Sequence, residues 1–320
     1  MKQGIINIFK EKNCTSFQAV AVIRRLSGEK KVGHTGTLDP DAEGVLPVCI
    51  GKATKLIDYL MDSPKEYRAV MRLGIKTDTL DMTGNVLEKM CPEEVAGKVS
   101  EQKIAEAFNA FTGTISQIPP MYSAVKVNGV KLVDAARKGK ELERKPRTAE
   151  IFSYSDIDIS PDRLHVSFTV RCSKGTYIRT LWEDRGAFMG IPACMESLVR
   201  TETSGFKAST AITLDMARAL AAEGKLEDYI VPTDRLLKKY VPLEVTEEAE
   251  ERLIYGNYMY PEDIKGVITE DPNGYVLGLR ATVTPHEGEV FRLYGKGSEF
   301  YALYRYESAD QCYKCDKMFK

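Results

Sequence analysis

The sequence predicts an α+β fold with a small β-rich part at its C-terminal end. Segments with the alternation of strands and segments with helical periodicity are mixed, without a regular strand–helix–strand order. Beyond about Val241 the residue pattern changes to short β-type segments separated by glycine and proline turns. The 320 residues are enough for two domains. We therefore predict a first domain over residues 1–240 and a second over 241–320.

Helices in the first part are predicted from capping residues and apolar periodicity. Thr15 or Ser16 can cap a helix that runs to about Leu26, and Gly28 can close it. Two further helices are expected, and they begin after Ser100 (ending near Gly113) and at Thr176 (directly after Gly175).

Strands in the first part are predicted from apolar alternation. The segment from Tyr67 to Gly74 places every second residue on one apolar face, and Leu164 to Arg171 does the same. Between them, Thr77 to Gly84 is turn-rich. In the C-terminal part we expect a short helix from Glu247 to Tyr255. Short strands are expected after it, around Tyr275–Arg280, Val290–Tyr294 and Phe300–Tyr306. The sequence assigns no structure to the tail from Gln311.

The segment from Lys31 to Pro47, KVGHTGTLDPDAEGVLP, is the strongest candidate for a functional site. Its glycines permit unusual backbone angles and its prolines restrict them, so the loop is expected to be rigid and exposed. Rigid loops on a scaffold often carry catalytic side chains. Asp39 lies at the Leu-Asp-Pro corner of this loop and is the first candidate for chemistry.

Local sequence leaves several interpretations of this loop open. Asp39, Asp41 and Glu43 resemble the start of a calcium loop, but Ile50 stands where that loop needs a bidentate Glu. A phosphate-binding P-loop does not fit, because Gly51 lacks the required upstream glycine and the following hydroxyl. A single catalytic carboxylate near a histidine and a tight turn with solvated acids are equally compatible with the residues.

Composition and charge bound the function classes. The chain is 43% hydrophobic and 28% charged, which is ordinary for a globular protein, and no apolar run is long enough to cross a membrane. The N-terminal apolar stretch is too short for a signal peptide, so we expect a cytoplasmic protein without membrane association. The net charge of −1 does not indicate a nucleic-acid partner. Clustered lysines and arginines can still bind phosphates locally.

The cysteines predict neither a disulfide framework nor a metal site. They number seven and are scattered along the chain. Cys312 and Cys315 form a C-x-x-C pair near the end of the chain, but no second ligand pair follows, as a structural zinc would require. We expect no metal and no organic cofactor.

Four separated segments in order resemble the TruB family of tRNA pseudouridine synthases, in its bacterial type. They are Gly33–Pro40 with Gly44–Lys55, Lys65–Arg68, Pro119–Lys126 with its continuation to Arg137, and Lys174–Thr180. The segment before Ser16 departs from the family pattern, since it keeps Lys10 but lacks the usual proline and glycine. The resemblance covers most of the first 240 residues.

The resemblance implies a pseudouridine synthase fold, with a mixed, mainly antiparallel central sheet flanked by helices. It also implies a tRNA-binding insertion at about residues 119–147 and a PUA-like RNA-binding domain at the C-terminal end. The implied activity is isomerisation of uridine 55 in the T-loop of tRNA, after the base has been flipped out of its stack. The expected partner is the tRNA T-arm, with no obligatory protein partner and a monomeric state.

Catalytic and substrate-binding residues are also implied by the resemblance. Asp39 is the expected nucleophile, and Arg179 is expected to hold it ionised, because a guanidinium keeps its charge in a pocket and can grip a carboxylate with two nitrogens. Tyr67 is expected to stack on the flipped uracil, and its phenol is a candidate for assisting removal of the C5 proton. Three residues are expected to bind substrate: His34, Lys10 and Leu198.

Two other functions remain open from sequence. One is a guide-dependent synthase that works with protein partners, and the other is an RNA-binding folding chaperone. The presence of Asp39, Tyr67 and Arg179 together argues against an inactive relic.

Overall fold

The computed structural model describes residues 3–271, 276–281 and 284–320 and contains two main β-sheets with helices packed against them. This is the α+β fold that the sequence predicts. Within those residues, none of the helices has the length and apolar character needed to cross a membrane.

The strands are β1 Gly4–Lys10, β2 Val32–His34, β3 Glu43–Ile50, β4 Lys65–Leu73, β5 Ile75–Thr77, β6 Val86–Lys89, β7 Gly113–Gln117, β8 Lys126–Val127, β9 Val130–Lys131, β10 Arg147–Ile159, β11 His165–Cys172, β12 Ala193–Thr203, β13 Phe206–Lys207, β14 Ile212–Thr213, β15 Ile230–Val231, β16 Val241–Val245, β17 Ile264–Glu270, β18 Val276–Arg280, β19 Val290–Gly295, β20 Glu299–Glu307 and β21 Cys312–Met318. The α-helices are α1 Ser16–Ser27, α2 Ile57–Met61, α3 Pro92–Lys98, α4 Glu101–Ala110, α5 Leu132–Ala136, α6 Ile178–Met189, α7 Leu214–Ala222 and α8 Glu247–Ile254. Short 3-10 turns occur at Gly51–Leu56, Ala208–Thr210, Leu226–Tyr229, Thr233–Leu237, Pro261–Asp263 and Lys296–Ser298.

The larger sheet has the main order β14-β1-β3-β12-β4-β11-β10-β7. Only the pairs β1–β14 and β3–β12 are parallel among its described pairings, so the sheet is mixed and mainly antiparallel, as predicted. Helix α1 packs on one half of this sheet and α6 on the other, and each contributes to an apolar core. The two central strands β12 and β4 run side by side, and they carry residues of the site described below.

Helix α1 begins and ends at the positions that its capping residues predict. The Thr15 hydroxyl accepts from the Gln18 amide, and the Gln18 side chain accepts from the Thr15 amide, which makes a capping box. Gly28 closes the helix in the left-handed conformation, at φ +68°. Helix α4 likewise begins after Ser100, whose hydroxyl accepts from the Lys103 amide.

Helix α6 begins at Ile178, two residues later than the prediction of Thr176. The Tyr177 backbone is extended because the Gln117 side chain pairs with it: the Tyr177 amide donates to Gln117 Oε1 at 3.0 Å, and Gln117 Nε2 donates to the Tyr177 carbonyl at 3.1 Å. A contact with strand β7, invisible in local sequence, therefore sets the helix start. This places Arg179 in the first turn of α6.

Helix α6 is fixed to the sheet by a buried arginine. Arg185 is fully buried, and its guanidinium carbon lies 3.9 Å from the ring centre of Phe108 and 4.3 Å from that of Tyr154. The rings of Phe168 and Trp182 complete the enclosure. Burial lowers the pKa of Arg185 to about 10, so the side chain remains charged at neutral pH, where aromatic faces stabilise it.

The second sheet has the order β18-β17-β16-β19-β20-β21 and forms the β-rich C-terminal part that the sequence predicts. Helix α8 covers its core, and the predicted strands near residues 290–294 and 300–306 are confirmed as β19 and β20. The predicted strand near residue 280 is β18, although Tyr275 lies outside the described residues. The tail from Gln311, to which the sequence assigned no structure, contains strand β21, which pairs with β20.

Gly44 allows two strands of the larger sheet to come close together. It lies at φ +110°, and a Cβ atom built on it would lie 2.2 Å from the carbonyl oxygen of Arg200 on β12. That contact is with backbone, which cannot move away without breaking the parallel β3–β12 pairing. A residue larger than glycine is therefore excluded at this position.

Replacing Gly44 by Ala should lower the free energy of unfolding by about 3 kcal/mol or more, because the new methyl group overlaps backbone at a strained φ. Gly28→Ala is the matched control, since Gly28 also has positive φ but has no atom within 4 Å of the built Cβ. That control should lose only about 1–2 kcal/mol from backbone strain. Equal losses in chemical denaturation of the two variants would contradict the close approach at Gly44.

Candidate active site

A cavity of about 530 Å³ opens where the 35–39 loop, strands β4 and β12, and the first turn of α6 meet. The sheet brings these elements together, because β4 and β12 are neighbours and the loop joins β2 to β3 beside them. The cavity is lined by Thr35, Gly36, Thr37, Leu38, Asp39, Met61, Lys65, Tyr67, Ser123, Ala124, Arg147, Thr148, Lys174, Gly175, Thr176, Tyr177, Ile178, Arg179, Leu198 and Arg200. Four of the six residues proposed from sequence are among them.

Asp39 and Arg179 form an ion pair at the cavity wall. Arg179 Nη2 lies 2.9 Å from Asp39 Oδ2, and the Arg179 side chain is 6% exposed while that of Asp39 is 39% exposed. The guanidinium is oriented by main-chain carbonyls, since Nη1 donates to Thr79 at 2.9 Å and Nη2 donates to Tyr122 at 2.8 Å. Its nitrogens are therefore shared between the carboxylate and backbone, whereas the sequence prediction assumed a two-nitrogen grip on Asp39.

The pKa of Asp39 is raised above its ordinary value by burial of the carboxyl group. Arg179 is the main opposing influence, and it lowers the pKa both by its charge and by a hydrogen bond. Asp81, whose carboxylate lies 4.0 Å from Arg179 Nη1, raises the pKa of Asp39 further. The ionised state of Asp39 therefore depends on Arg179 more than on any other residue.

Tyr67 and Leu198 provide apolar surface in the cavity that holds the ion pair. Tyr67 is 8% exposed on β4, and Leu198 is 7% exposed on β12. Burial raises the pKa of the Tyr67 phenol, and the neighbouring Arg200 opposes that shift. The phenol is thus protonated at neutral pH, so its ring offers a flat surface suited to stacking on a planar ligand.

Arg200 is a site residue that sequence reasoning did not select. It is 1% exposed, lines the cavity, and lies directly opposite Tyr67 in the β12–β4 pairing. Its Nε donates to the Val45 carbonyl at 2.8 Å and its Nη2 donates to the Gly36 carbonyl at 3.0 Å, so it ties together both sides of the loop that carries Asp39. An arginine two residues after Leu198 in a strand was the only signal in the sequence.

Lys10 is buried behind the loop and does not line the cavity. Its ammonium donates to the carbonyls of Cys14 at 2.6 Å, Glu11 at 2.9 Å and Pro40 at 3.0 Å. The contact with Pro40 holds the backbone directly after Asp39. Burial lowers the pKa of Lys10, and nearby anionic groups oppose that shift. The structure thus gives Lys10 a role in shaping the loop.

His34 also lies outside the cavity lining, on β2. Its Nδ1 accepts a hydrogen bond from the Gly36 amide at 3.2 Å. Burial and the charge of Arg200 lower the pKa of His34, which favours the neutral imidazole. Its predicted contact with substrate stays a prediction.

Cations dominate the charged lining of the cavity. Lys65, Arg147 and Lys174 line it together with Arg179 and Arg200, against the single carboxylate of Asp39. Burial lowers the pKa of Lys65 to about 8, and its ammonium donates to the carbonyls of Met61 at 2.9 Å and Ser63 at 2.7 Å. A cavity with this charge balance suits a polyanionic ligand.

The two cysteines of the C-x-x-C pair are not arranged as metal ligands. Cys312 and Cys315 are three residues apart on strand β21, so their side chains point to opposite faces. Across the described ranges, no cluster of three or more histidine, cysteine, aspartate or glutamate residues could hold a metal ion.

The cavity combines a carboxylate held beside a cation, a flat apolar wall and surrounding positive charge. A carboxylate can act as a nucleophile toward an electrophilic carbon, and the wall can hold a planar base against it. Asp81, adjacent to Arg179, and Arg200 extend this arrangement beyond the residues chosen from sequence.

Comparison with known proteins places the chain in a family. Residues 24–178 match the model of the TruB family pseudouridylate synthase (N terminal domain), a range that includes Asp39 and Tyr67. A tRNA pseudouridine synthase B from Limosilactobacillus reuteri is 38% identical over 99% of this chain and 98% of the relative. Another of the same name, from Clostridium perfringens, is 42% identical over 86% of this chain and 94% of the relative.

Solved structures agree in fold. A Cbf5–Nop10–Gar1 complex contains a chain with TM-score 0.66 and 26% identity, covering 99% of this chain and 85% of that chain. A structure of an H/ACA ribonucleoprotein bound to a substrate RNA containing 2′-deoxyuridine gives TM-score 0.66 at 23% identity, again covering 99% of this chain and 85% of the other. The bacterial relatives decide the family, because one of them is 38% identical over 99% of this chain. The chain therefore belongs to the TruB family of pseudouridylate synthases.

Proposed function

We propose that this chain is a tRNA pseudouridine synthase, an isomerase that converts uridine 55 in the T-loop of tRNA to pseudouridine. The observation that carries the proposal is the Asp39–Arg179 ion pair in a cavity walled by Tyr67 and Leu198. The names of the bacterial relatives, all tRNA pseudouridine synthase B, support tRNA as the substrate.

The proposed reaction breaks the C1′–N1 bond of uridine, rotates the uracil and joins its C5 to C1′. The hydrogen on C5 leaves and N1 gains a hydrogen, so substrate and product have the same composition. The base must first leave its stack, and the cost of unstacking is a few kcal/mol. A cavity with a flat apolar wall can offset part of that cost by stacking on the uracil and burying it.

Asp39 is the nucleophile in this proposal. Both attack on the sugar C1′ and attack on the base C6 are compatible with a carboxylate at this position. The neighbouring Arg179 opposes the effect of burial on the Asp39 pKa and so maintains the ionised carboxylate. The fixed orientation of the guanidinium by Thr79 and Tyr122 preserves that electrostatic effect when substrate enters.

Tyr67 is proposed to stack on the uracil, and Leu198 to line its other side. Because burial raises the pKa of the phenol, a stacking role is favoured over removal of the C5 proton. His34 is proposed to help hold the flipped base from the adjacent loop. Lys10 is proposed to act on substrate only through the loop that it supports.

The proposed partner is the tRNA T-arm, bound through the basic cavity rim, the 119–147 insertion and a PUA-like C-terminal domain over residues 241–320. We propose a monomeric, cytoplasmic enzyme that needs neither a protein partner nor a cofactor. The structural likeness to complexes that contain partner proteins and RNA keeps a guide-dependent synthase as the alternative to test.

The deciding assay incubates the purified protein with unmodified tRNA transcript, without metal, cofactor or partner protein, and maps pseudouridine. Product at the single T-loop position 55 is expected. Tight tRNA binding without product would instead support the guide-dependent or chaperone function. Product at other positions would reject the proposed specificity but retain the activity.

Asp39→Asn should abolish turnover in this assay while the dissociation constant for tRNA changes less than about threefold, because the amide has nearly the shape of the carboxylate but does not act as a nucleophile. Asp41→Asn, on the same loop, is a control that retains Asp39. Near-normal turnover in Asp39→Asn would remove Asp39 from the role of nucleophile.

Arg179→Lys should lower the single-turnover rate by about tenfold or more, although the charge is kept, because a lysine has no planar fork to bridge Asp39 and two carbonyls. The comparison variant is Lys174→Arg, which alters a rim cation paired with the exposed Asp62. A wild-type rate in Arg179→Lys would show that the fork geometry is unimportant.

The single-turnover rate should fall as the pH decreases through the pKa of Asp39, which lies above its ordinary value of 3.8. Removing Arg179 removes the largest influence that lowers this pKa, so the acid limb of Arg179→Met should move to higher pH. In Lys174→Met the limb should move much less, since Lys174 is not among the main groups that shift the pKa of Asp39. An unmoved limb in Arg179→Met would contradict the assignment.

A further inference from the structure

We propose that strand β21 and the residue after it position one wall of the active site, with Lys317 and Phe319 as positioning residues. The wall is the segment from Gly51 to Lys65, which runs from the C-terminal sheet to the cavity. The inference rests on the proposed function for its rate measurements, and a second measurement below is independent of activity.

One end of this segment is attached to strand β21 by reciprocal hydrogen bonds. Lys55 Nζ donates to the Met318 carbonyl at 2.6 Å, and Lys317 Nζ donates to the Lys55 carbonyl at 2.8 Å. The Tyr59 hydroxyl donates to Asp316 Oδ2 at 3.1 Å, and the Lys317 ammonium lies 4.5 Å from the centre of the Tyr59 ring. These contacts link positions more than 250 residues apart in the chain.

An apolar cluster lies beneath these polar contacts. Leu56, which is fully buried, packs with Leu303 and Phe319 in one cluster, and Leu60 is partly buried against it. The Phe319 ring stacks on Phe300, with ring centres 5.3 Å apart. Phe319 is therefore the main side chain by which the end of the chain contacts the core beside α2.

The other end of the segment forms part of the cavity. Met61, at the end of α2, lines the cavity with a 41% exposed side chain. Lys65 lines it too, and its ammonium binds the carbonyls of Met61 and Ser63, which gives the end of α2 a cationic cap. Lys65 is two residues before Tyr67 on the same strand.

Helix α2 depends on its neighbours for its position. It has five residues, none of which is buried, so it has too few turns and too little packing to be stable by itself. The Leu60 carbonyl accepts from the Ser204 hydroxyl at 2.8 Å, the Tyr59 ring contacts the Lys317 ammonium, and the Leu60 side chain packs against the cluster that contains Phe319. Loosening the contacts with Lys317 and Phe319 would leave Met61, and the Lys65 ammonium that caps α2, free to shift in the cavity.

A C-terminal domain that only binds RNA would also make these residues necessary for activity. The two roles differ in the step that they affect. Loss of an RNA-binding contact weakens the binding of full-length tRNA. Loss of a positioning contact lowers the reaction rate after binding, and it does so even for a short T-arm hairpin.

The test compares Phe319→Ala and Lys317→Met with Lys314→Met on full tRNA and on a T-arm hairpin. Lys314 lies on the same strand but pairs with Glu307 and Asp310 within the C-terminal sheet, so it is the matched control. We expect single-turnover rates about tenfold lower for Phe319→Ala on both RNAs, dissociation constants within about threefold, and rescue by Phe319→Leu. Wild-type rates, or losses confined to the binding of full tRNA, would overturn the proposal.

Amide hydrogen exchange of the unliganded variants provides the readout that does not depend on activity. Phe319→Ala should speed exchange in residues 51–65, with little change in α1, which packs on the opposite face of β1 and β3. Unchanged exchange in residues 51–65 would overturn the positioning role. A wild type that makes no pseudouridine, with faster exchange in Phe319→Ala, would reject the proposed function but retain the structural coupling.

Discussion

The contact between Asp39 and Arg179 is the interaction on which the candidate active site depends. A carboxylate placed against an apolar cavity wall loses hydration, and this favours its neutral form. Arg179 reverses part of that effect at 2.9 Å. The arginine in turn is charged and almost fully buried, so it needs the Thr79 and Tyr122 carbonyls to satisfy its remaining hydrogens. The Asp39 loop, the turn before β6 and the segment around Tyr122 are thereby all connected to one guanidinium.

Buried cations recur as positioning devices throughout the larger sheet. Lys10 and Arg200 bind main-chain carbonyls of the Asp39 loop from two sides, and Lys65 does the same for the end of α2. Arg185 differs, since aromatic rings surround it and anchor the helix that carries Arg179. Lys10, Arg200 and Lys65 thus fix backbone beside the cavity, whereas Arg185 fixes the position of a helix. Lys65 and Arg200 also line the cavity, and with Arg147, Lys174 and Arg179 they make its charged lining mainly positive, which suits an RNA substrate.

Close packing of the sheet explains why the loop has its sequence. Gly44 lets β3 lie against the backbone of Arg200, and Arg200 then reaches the Gly36 and Val45 carbonyls. The glycine and the arginine are thus parts of one arrangement, although they are 156 positions apart. The C-terminal strand extends this dependence, because β21 contacts the segment that ends at Met61 and Lys65.

Local sequence determined the elements whose causes are local. The capping box at Thr15, the left-handed Gly28 and the alternation from Tyr67 to Leu73 predicted α1 and β4 correctly. The motif segments identified the family, and Asp39, Tyr67, Arg179 and Leu198, which were chosen from sequence, line one cavity. A pattern of neighbouring residues carries this information because capping, strand alternation and tight turns act over a few positions.

Only the tertiary structure decided the features that join distant segments. Helix α6 begins at Ile178 because Gln117 holds Tyr177 extended. Lys10 and His34 lie outside the cavity lining, where they hydrogen-bond to backbone groups of the loop. Arg200 and the connection of Lys317 to Lys55 were hidden for the same reason. Such contacts depend on strand order and on which face of a strand meets the cavity. Residue spacing along the chain does not encode either of these, because long-range pairing brings the segments together only in the folded sheet.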